Sequence, residues 1–369
     1  MNQLFGWKQT GLFLLALAAG ILPFAVPEVC AAALREGLTL CSGPLLLSLF
    51  PFLVVSRLLV QCPESDLLAL PFRLAAWGIG IRTPCAARVL CIGFLGGFAP
   101  AASAAAQAVR TGQLTAEEAD ALLPACICSG PSFVVLTVGQ SLLGSAELGV
   151  LLFASQITAN YLTAALPNRF AGVRSVKPGS AAPASPAPPR LDEILADAAI
   201  TYCKLCGFIL FFRMLAAGAG ALLPAGAGTL CSILLEVCSG CDLASRTGRW
   251  GSLLCCAALS VQGLSVLLQV RTICPPEMTL RPLYRSRMLH LPLSLALFYL
   301  LLPGGEADVF STLPARVLLM QRVPPDCALL VFAVCCMAAC TLRSGIRQVE
   351  QKQMARNAGG CCINSKTLL

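Results

Sequence analysis

The sequence predicts an all-α polytopic membrane protein, an inverted-repeat bundle of about eight spans with two re-entrant hairpins and two broken helices. Three observations predict it. Of 369 residues, 57% are hydrophobic and 12% charged, against about 25% charged in soluble domains; the mean hydropathy is +0.79. The apolar runs are interrupted by Gly, Pro and Ser at matched places in the two halves of the chain. Basic residues collect in short loops and at the C-terminal end, as the positive-inside bias requires, so the net charge of +8 reads as topology. No basic helix or aromatic-interleaved patch is present, which argues against a nucleic-acid partner.

The chain divides into an N-terminal span (1–30), a first repeat (31–167), a cytoplasmic Pro/Ala/Ser linker (168–197), a second repeat (198–303), a C-terminal loop and span (304–343) and a cytoplasmic tail (344–369). Lys8 precedes an apolar run from Thr10 to Val26 with no small-residue cleavage site after it, and this reads as an uncleaved first span. A second span runs from about Leu38 to Val60, followed by a stretch of mixed polarity, Gln61 to Arg88. From Val89 to Val109 the chain is apolar but crowded with Gly and Ala, with Gly96 and Gly97 beside Phe98. Such a segment suits a re-entrant hairpin whose bend protein or water surrounds. Thr115 is placed to cap the next helix. Ala121 to Leu143 then forms a span broken at Ser129, Gly130, Pro131 and Ser132, and Ala146 to Leu166 closes the half.

The linker is rich in Pro, Ala and Ser and carries Arg169, Arg174, Lys177 and Arg190. Such composition favours extended chain over packed structure. The second repeat retraces the order of the first. Ala199 to Leu223 is a span, and Thr229 to Ser245 a second hairpin with Ser239–Gly240 at its centre. Trp250 to Val270 is a span broken at Ser260, Gln262 and Gly263, and Met288 to Leu302 another span. Cys327 to Leu342 is the last. "PFLVVSRLLV" aligns without gaps on "GFILFFRMLA", which puts Arg57 in register with Arg213. With the N-terminus cytoplasmic, the linker, Arg271, Arg281, Arg285, Arg287 and the basic tail all fall inside, and only Arg246 and Arg249 fall outside. The halves then cross in opposite senses, and both termini are cytoplasmic.

Broken helices expose N–H and C=O groups inside the bilayer, which is tolerated where those groups meet a solute, an ion or water. Paired breaks in opposite-facing halves therefore point to a transporter-like bundle with one site at the repeat interface, bound to a small anionic metabolite. Arg213 lies deep in its span, where an intramembrane charge usually faces an interior cavity and can contact solute, although pairing with Glu236 or snorkelling would also satisfy it. Arg57 lies nearer a span end and favours snorkelling. Glu236 suits a coupling cation, H+ or Na+, or an ion pair with Arg213 or Arg246. Gln262, Ser129, Gly130 and Ser132 are expected to line the breaks, and Gly96, Gly97, Pro131, Gly240 and Gly263 to act as hinges. Gln156 and Asn160 read as helix-to-helix hydrogen bonders.

The 21 cysteines lie mostly in apolar helices and read as small packing residues; with one histidine in the chain, no metal or other cofactor is expected. Neither a catalytic triad nor a phosphate-binding loop stands in a fitting context, so the sequence argues against an enzyme.

The runs "GQLTAEEADALLPAC", "SGPSFVVLTVG", "LLEVCSG" and "VQGLSVLLQV" resemble, in that order, the sporulation integral membrane proteins of the YlbJ type. That family carries the nucleoside-recognition, or Gate, domain and is similar in plan to concentrative nucleoside transporters. The resemblance spans about Pro27 to Leu302. It implies residence in a bacterial cell or forespore membrane, movement of dipicolinate into the forespore, and, by analogy, a homo-oligomer. Nucleoside transport, or a non-transporting scaffold of the sporulation machinery, are the alternatives. This chain departs from the family pattern at Ile127 and Cys128, where Asn often precedes the Ser-Gly-Pro, and at Ala99, Pro100 and Ala101 after Phe98.

Overall fold

The computed structural model describes residues 2–61, 63–171 and 191–302. The expected last span, the tail and most of the linker lie outside the described residues. Among the described residues every regular element is helical. Four apolar stretches are long enough to cross a membrane, Pro27–Leu47, Ala146–Asn168, Leu191–Leu222 and Gly248–Ile273, the make-up of an integral membrane protein.

The first three helices are α1 (Asn2–Ala25), α2 (Pro27–Ser42) and α3 (Pro44–Gln61). The expected second span, Leu38 to Val60, is divided: Gly43 and Pro44 end α2 and start α3, because Pro44 has no N–H to continue the ladder. The stretch of mixed polarity holds a short 3₁₀ turn and α4 (Leu70–Ile79), which ends at left-handed Gly80. Next comes α5 (Pro84–Gly96), inclined at 106° to α4.

α5 and α6 (Phe98–Arg110) fold back on each other about Gly97, and Arg88 near the start of α5 donates to Gln113 just past the end of α6. Every residue from Ala99 to Ala106 is buried. Their small side chains let neighbouring backbones approach, so this hairpin is enclosed by protein. α7 (Ala116–Cys126) starts at a capping box in which Thr115 and Glu118 satisfy each other's backbone N–H groups. Residues 127–130 leave the helix, and Ser132–Leu142 resumes as a π-helix that packs on α8 (Ala146–Ala171) through Gly139 and Gly149.

The expected linker is shorter than its composition suggested. α8 runs through Pro167 to Ala171, and α9 (Leu191–Leu222) begins with residues 191–197, whose acidic first turn suits a helix N-terminus. α2 lays its buried face of Cys30, Ala33, Gly37 and Cys41 along α9.

α10 (Ala225–Leu235) and α11 (Val237–Ser245) form the second hairpin. Its interruption is at Glu236, not at Ser239–Gly240. The carboxylate of Glu236 supplies acceptors for the first free N–H groups of α11, and Gly240 lets α11 press on Ile233 of α10, where a Cβ would stand 2.8 Å from the Ile233 Cα. α12 (Gly251–Val261) and α13 (Gly263–Ile273) are separated by Gln262, which adopts the left-handed conformation (φ 62°). Ser260 lies inside α12 and bonds back to the Cys256 carbonyl. α14 (Arg281–Leu301) begins seven residues before the expected span, so Arg287 sits buried within a helix and not in a cytoplasmic loop.

Candidate functional site

The two interrupted helices and the two hairpins meet through glycine. In the first half Gly97, at the hairpin bend (φ 81°), approaches the break between α7 and the π-helix so closely that a Cβ would lie 2.7 Å from the Gly130 nitrogen. In the second half Gly263 (φ 69°) approaches the hairpin bend, where a Cβ would lie 2.9 Å from the Glu236 nitrogen. Each hairpin bend thus rests backbone to backbone on the interruption of its own half. Gly96 stands beside Gly97 against Phe52 and Pro100.

The two interruptions also meet each other. The Ile127 carbonyl, at the end of α7, accepts 3.4 Å contacts from Asn160 Nδ2 of α8 and from Gln262 Nε2. Gln262 is 1% exposed, and its Oε1 has no hydrogen-bond partner. Asn160 accepts at Oδ1 from Arg287 Nη2 at 2.9 Å, and the same nitrogen donates to the Pro124 carbonyl of α7 at 3.3 Å. A second buried network runs alongside: Gln156 donates to Ser260 and to the Cys256 carbonyl, Ser260 meets Ser294, and His290 meets the Gln156 carbonyl. Ser129 is buried, while Gly130, Pro131 and Ser132 are half-buried at the break itself.

Glu236 is 2% exposed. Its oxygens accept from the Cys238 and Ser239 N–H groups and from the Ser239 hydroxyl at 2.7 to 2.9 Å. The N-terminus of α11 is therefore satisfied by a carboxylate of its own chain. Neither arginine weighed as its partner bonds to it. Arg213 pairs with Glu36 of α2 at 2.7 Å, and Arg246 pairs with Asp242 one turn away. Glu236 stays within electrostatic range of Arg213 without contact.

A cavity of about 410 Å³ opens between α3, α6, α9 and α13. Arg57 and Gln269 form its buried floor with Ser103, and Arg110, Asp197 and Lys204 stand at its mouth. Arg57 reaches Asp197 through Nη1, Ser103 through Nε at 3.3 Å and Thr201 through Nη2 at 3.4 Å. With three cations and one carboxylate, the lining keeps a positive excess in a partly closed space, which attracts anions. Behind this lining, burial pushes the Cys274 thiol up to about 12, and the Arg271 charge pulls against that shift.

The floor lies along α6, which leaves the first hairpin bend, and α13, which leaves the second break. Ser103 is six residues beyond Gly97 on α6, and Gln269 six beyond Gly263 on α13, about 9 Å of helix in each case. Of the residues expected to bind solute, the structure brings Arg57 to the cavity and gathers Gly130, Ser129, Ser132 and Gln262 at the joined breaks; Arg213 stands apart, against Glu36.

Sequence reasoning missed Arg110, Asp197, Lys204 and Gln269 as cavity residues, and Arg287 and Asn160 as members of the break. The signals were present. Asp197, Thr201, Lys204 and Phe208 recur at helical spacing along one face of α9, and Ser286, Arg287, His290 and Ser294 form a buried polar stripe along α14. No protein-family model, curated protein or solved structure matches the chain.

Proposed function

We propose that this protein is a secondary transporter that carries a small anionic metabolite by alternating access, with about eight spans, two re-entrant hairpins and halves of opposite orientation. The observation that carries the reading is the junction at the Ile127 carbonyl, where the interruption of one half contacts the interruption of the other. Backbone irregularity inside apolar helices is stable where protein or solute satisfies it. Here each break is backed by a hairpin bend through a glycine whose side chain is only hydrogen. Moving a hairpin away from its break would open the junction to one side of the membrane.

The cavity supports the substrate class. Arg57, Arg110 and Lys204 outweigh Asp197, which favours a carboxylate-bearing solute over a neutral nucleoside. Cavities of roughly 300–1,000 Å³ hold small organic ligands. The resemblance to the YlbJ type points within that class to dipicolinate, moved across a cell or forespore membrane during sporulation. In this reading the side on which the cavity opens, by the start of α9, is cytoplasmic, in keeping with the basic residues around it. Glu236, held by its own helix, takes a coupling role only if its cap opens during the cycle.

Uptake of labelled dipicolinate and of labelled uridine into proteoliposomes, with and without H+ or Na+ gradients, tests the proposal. Saturable dipicolinate uptake is expected. Uridine uptake without dipicolinate uptake would replace the anionic substrate with a nucleoside, and no flux of either would favour a scaffold.

A further inference from the structure

Four arginines are buried among the described residues, Arg57, Arg88, Arg213 and Arg287. Three of them face a carboxylate: Arg57 faces Asp197, Arg88 faces Asp66 and Arg213 faces Glu36. Arg287 faces none. It is 8% exposed, and its hydrogen bonds are two, both from Nη2, to Asn160 Oδ1 and the Pro124 carbonyl. Nε and Nη1 are buried without a partner.

A guanidinium in such a place is unfavourable unless something of opposite charge visits it. The carbonyl end of α7 offsets part of the charge, since helix C-termini carry partial negative charge. It does not reach the two free nitrogens. Those nitrogens belong to a residue bonded to Asn160, whose amide nitrogen contacts the Ile127 carbonyl shared with Gln262. Gln262 in turn holds a buried oxygen without a donor. The junction of the two breaks therefore combines unmet donors on a fixed cation with an unmet acceptor on a neutral amide. A solute carboxylate would satisfy the unmet donors of Arg287.

We infer that Arg287 is the charge that selects anions at the junction of the two broken helices, one of its unpartnered nitrogens, Nε or Nη1, donating to a carboxylate of the solute. This rests on the transport reading above. Arg287 does not line the 410 Å³ cavity, so the solute reaches it after leaving the Arg57 floor, once the junction opens. Arg57 is then the collecting cation and Arg287 the discriminating one.

The probe pair is pyridine-2,6-dicarboxylate and its uncharged diamide, nearly the same in shape. Their ratio of kcat/KM is compared in proteoliposomes for the wild type, Arg287→Gln, Arg287→Lys and Asn160→Asp. The wild type is expected to prefer the dicarboxylate. Arg287→Gln is expected to reduce that preference at least tenfold, and Arg287→Lys to retain part of it. Asn160→Asp supplies Arg287 with the carboxylate partner it lacks, while losing the Nδ2 contact to the Ile127 carbonyl; it is expected to reduce the preference as Arg287→Gln does. Asn160→Asp also keeps the test open if Arg287→Gln does not fold. A preference unchanged in Arg287→Gln or in Asn160→Asp overturns the assignment and leaves the transport reading standing. A wild type that moves both probes alike also overturns it. A wild type that moves neither overturns both readings.

Discussion

Gly263 sits so close to Glu236 that a methyl group added to it would lie 2.9 Å from the Glu236 nitrogen, and its φ of 69° is one that side chains rarely adopt. The glycine both turns the chain out of the Gln262 break and leaves room for the hairpin bend to rest there. Gly97 makes the equivalent contact on Gly130 in the other half.

Gly263→Ala therefore adds backbone strain of about 1–3 kcal/mol to a contact against main chain, which has no flexible end to move aside. The expected outcome is a lower melting temperature in detergent and reduced uptake. Gly97→Ala is expected to behave alike, since its Cβ would stand 2.7 Å from the Gly130 nitrogen. Gly226→Ala, where nothing stands within 4 Å, is the control and should leave stability unchanged.

Glu236 holds the start of α11 by accepting from Cys238 and Ser239. Glu236→Ala removes the cap and should destabilise the protein by about 1–2 kcal/mol. Glu236→Gln keeps one acceptor oxygen and should lose less. Thermal unfolding of the two variants in parallel checks the order.

Asp197 is paired with Arg57, yet its side chain is 61% exposed. A pair with so exposed a member contributes about 0–1 kcal/mol after solvent screening. Asp197→Asn keeps an oxygen acceptor for Arg57, which also donates to Ser103 and Thr201, and should change the melting temperature little. It should lower KM for the anionic solute severalfold, because the cavity loses its one carboxylate. Raising ionic strength should diminish that gain, since charges at the mouth are screened within about 10 Å at 0.1 M salt.

The cavity and Arg57 stand beside the start of α9, which the 172–190 segment precedes in sequence. A reporter inserted in that segment should show cytoplasmic activity. Periplasmic activity would reverse the orientation proposed for both halves.

The helical class and the interruptions were legible in the sequence because Gly, Pro and Ser unwind helices wherever they cluster. Ser129 to Ser132 and Gln262–Gly263 show this directly. The stretch expected as the second hairpin holds two helices, α10 and α11, but the break between them is not at the Ser-Gly pair. A Ser-Gly pair suggested residues 239–240, whereas a carboxylate able to cap a helix determines a start more firmly than a flexible pair does. Arg213 drew attention by its depth in an apolar run, and depth alone does not tell whether a partner is near; Glu36 lies 177 residues earlier and meets it only through the packing of α2 on α9. Arg287 was hidden for the converse reason. It belongs to a run of basic residues that the positive-inside bias assigns to a loop, and only the helix from Arg281 carries it inward.

The most direct test of alternating access between these joined breaks is solute counterflow. Proteoliposomes loaded with unlabelled dipicolinate are diluted into a trace of labelled dipicolinate, with no ion gradient imposed. A carrier with one site exposed to each side in turn predicts transient accumulation of label above the external concentration, lost in Gly263→Ala. Label that never exceeds the external concentration would contradict it.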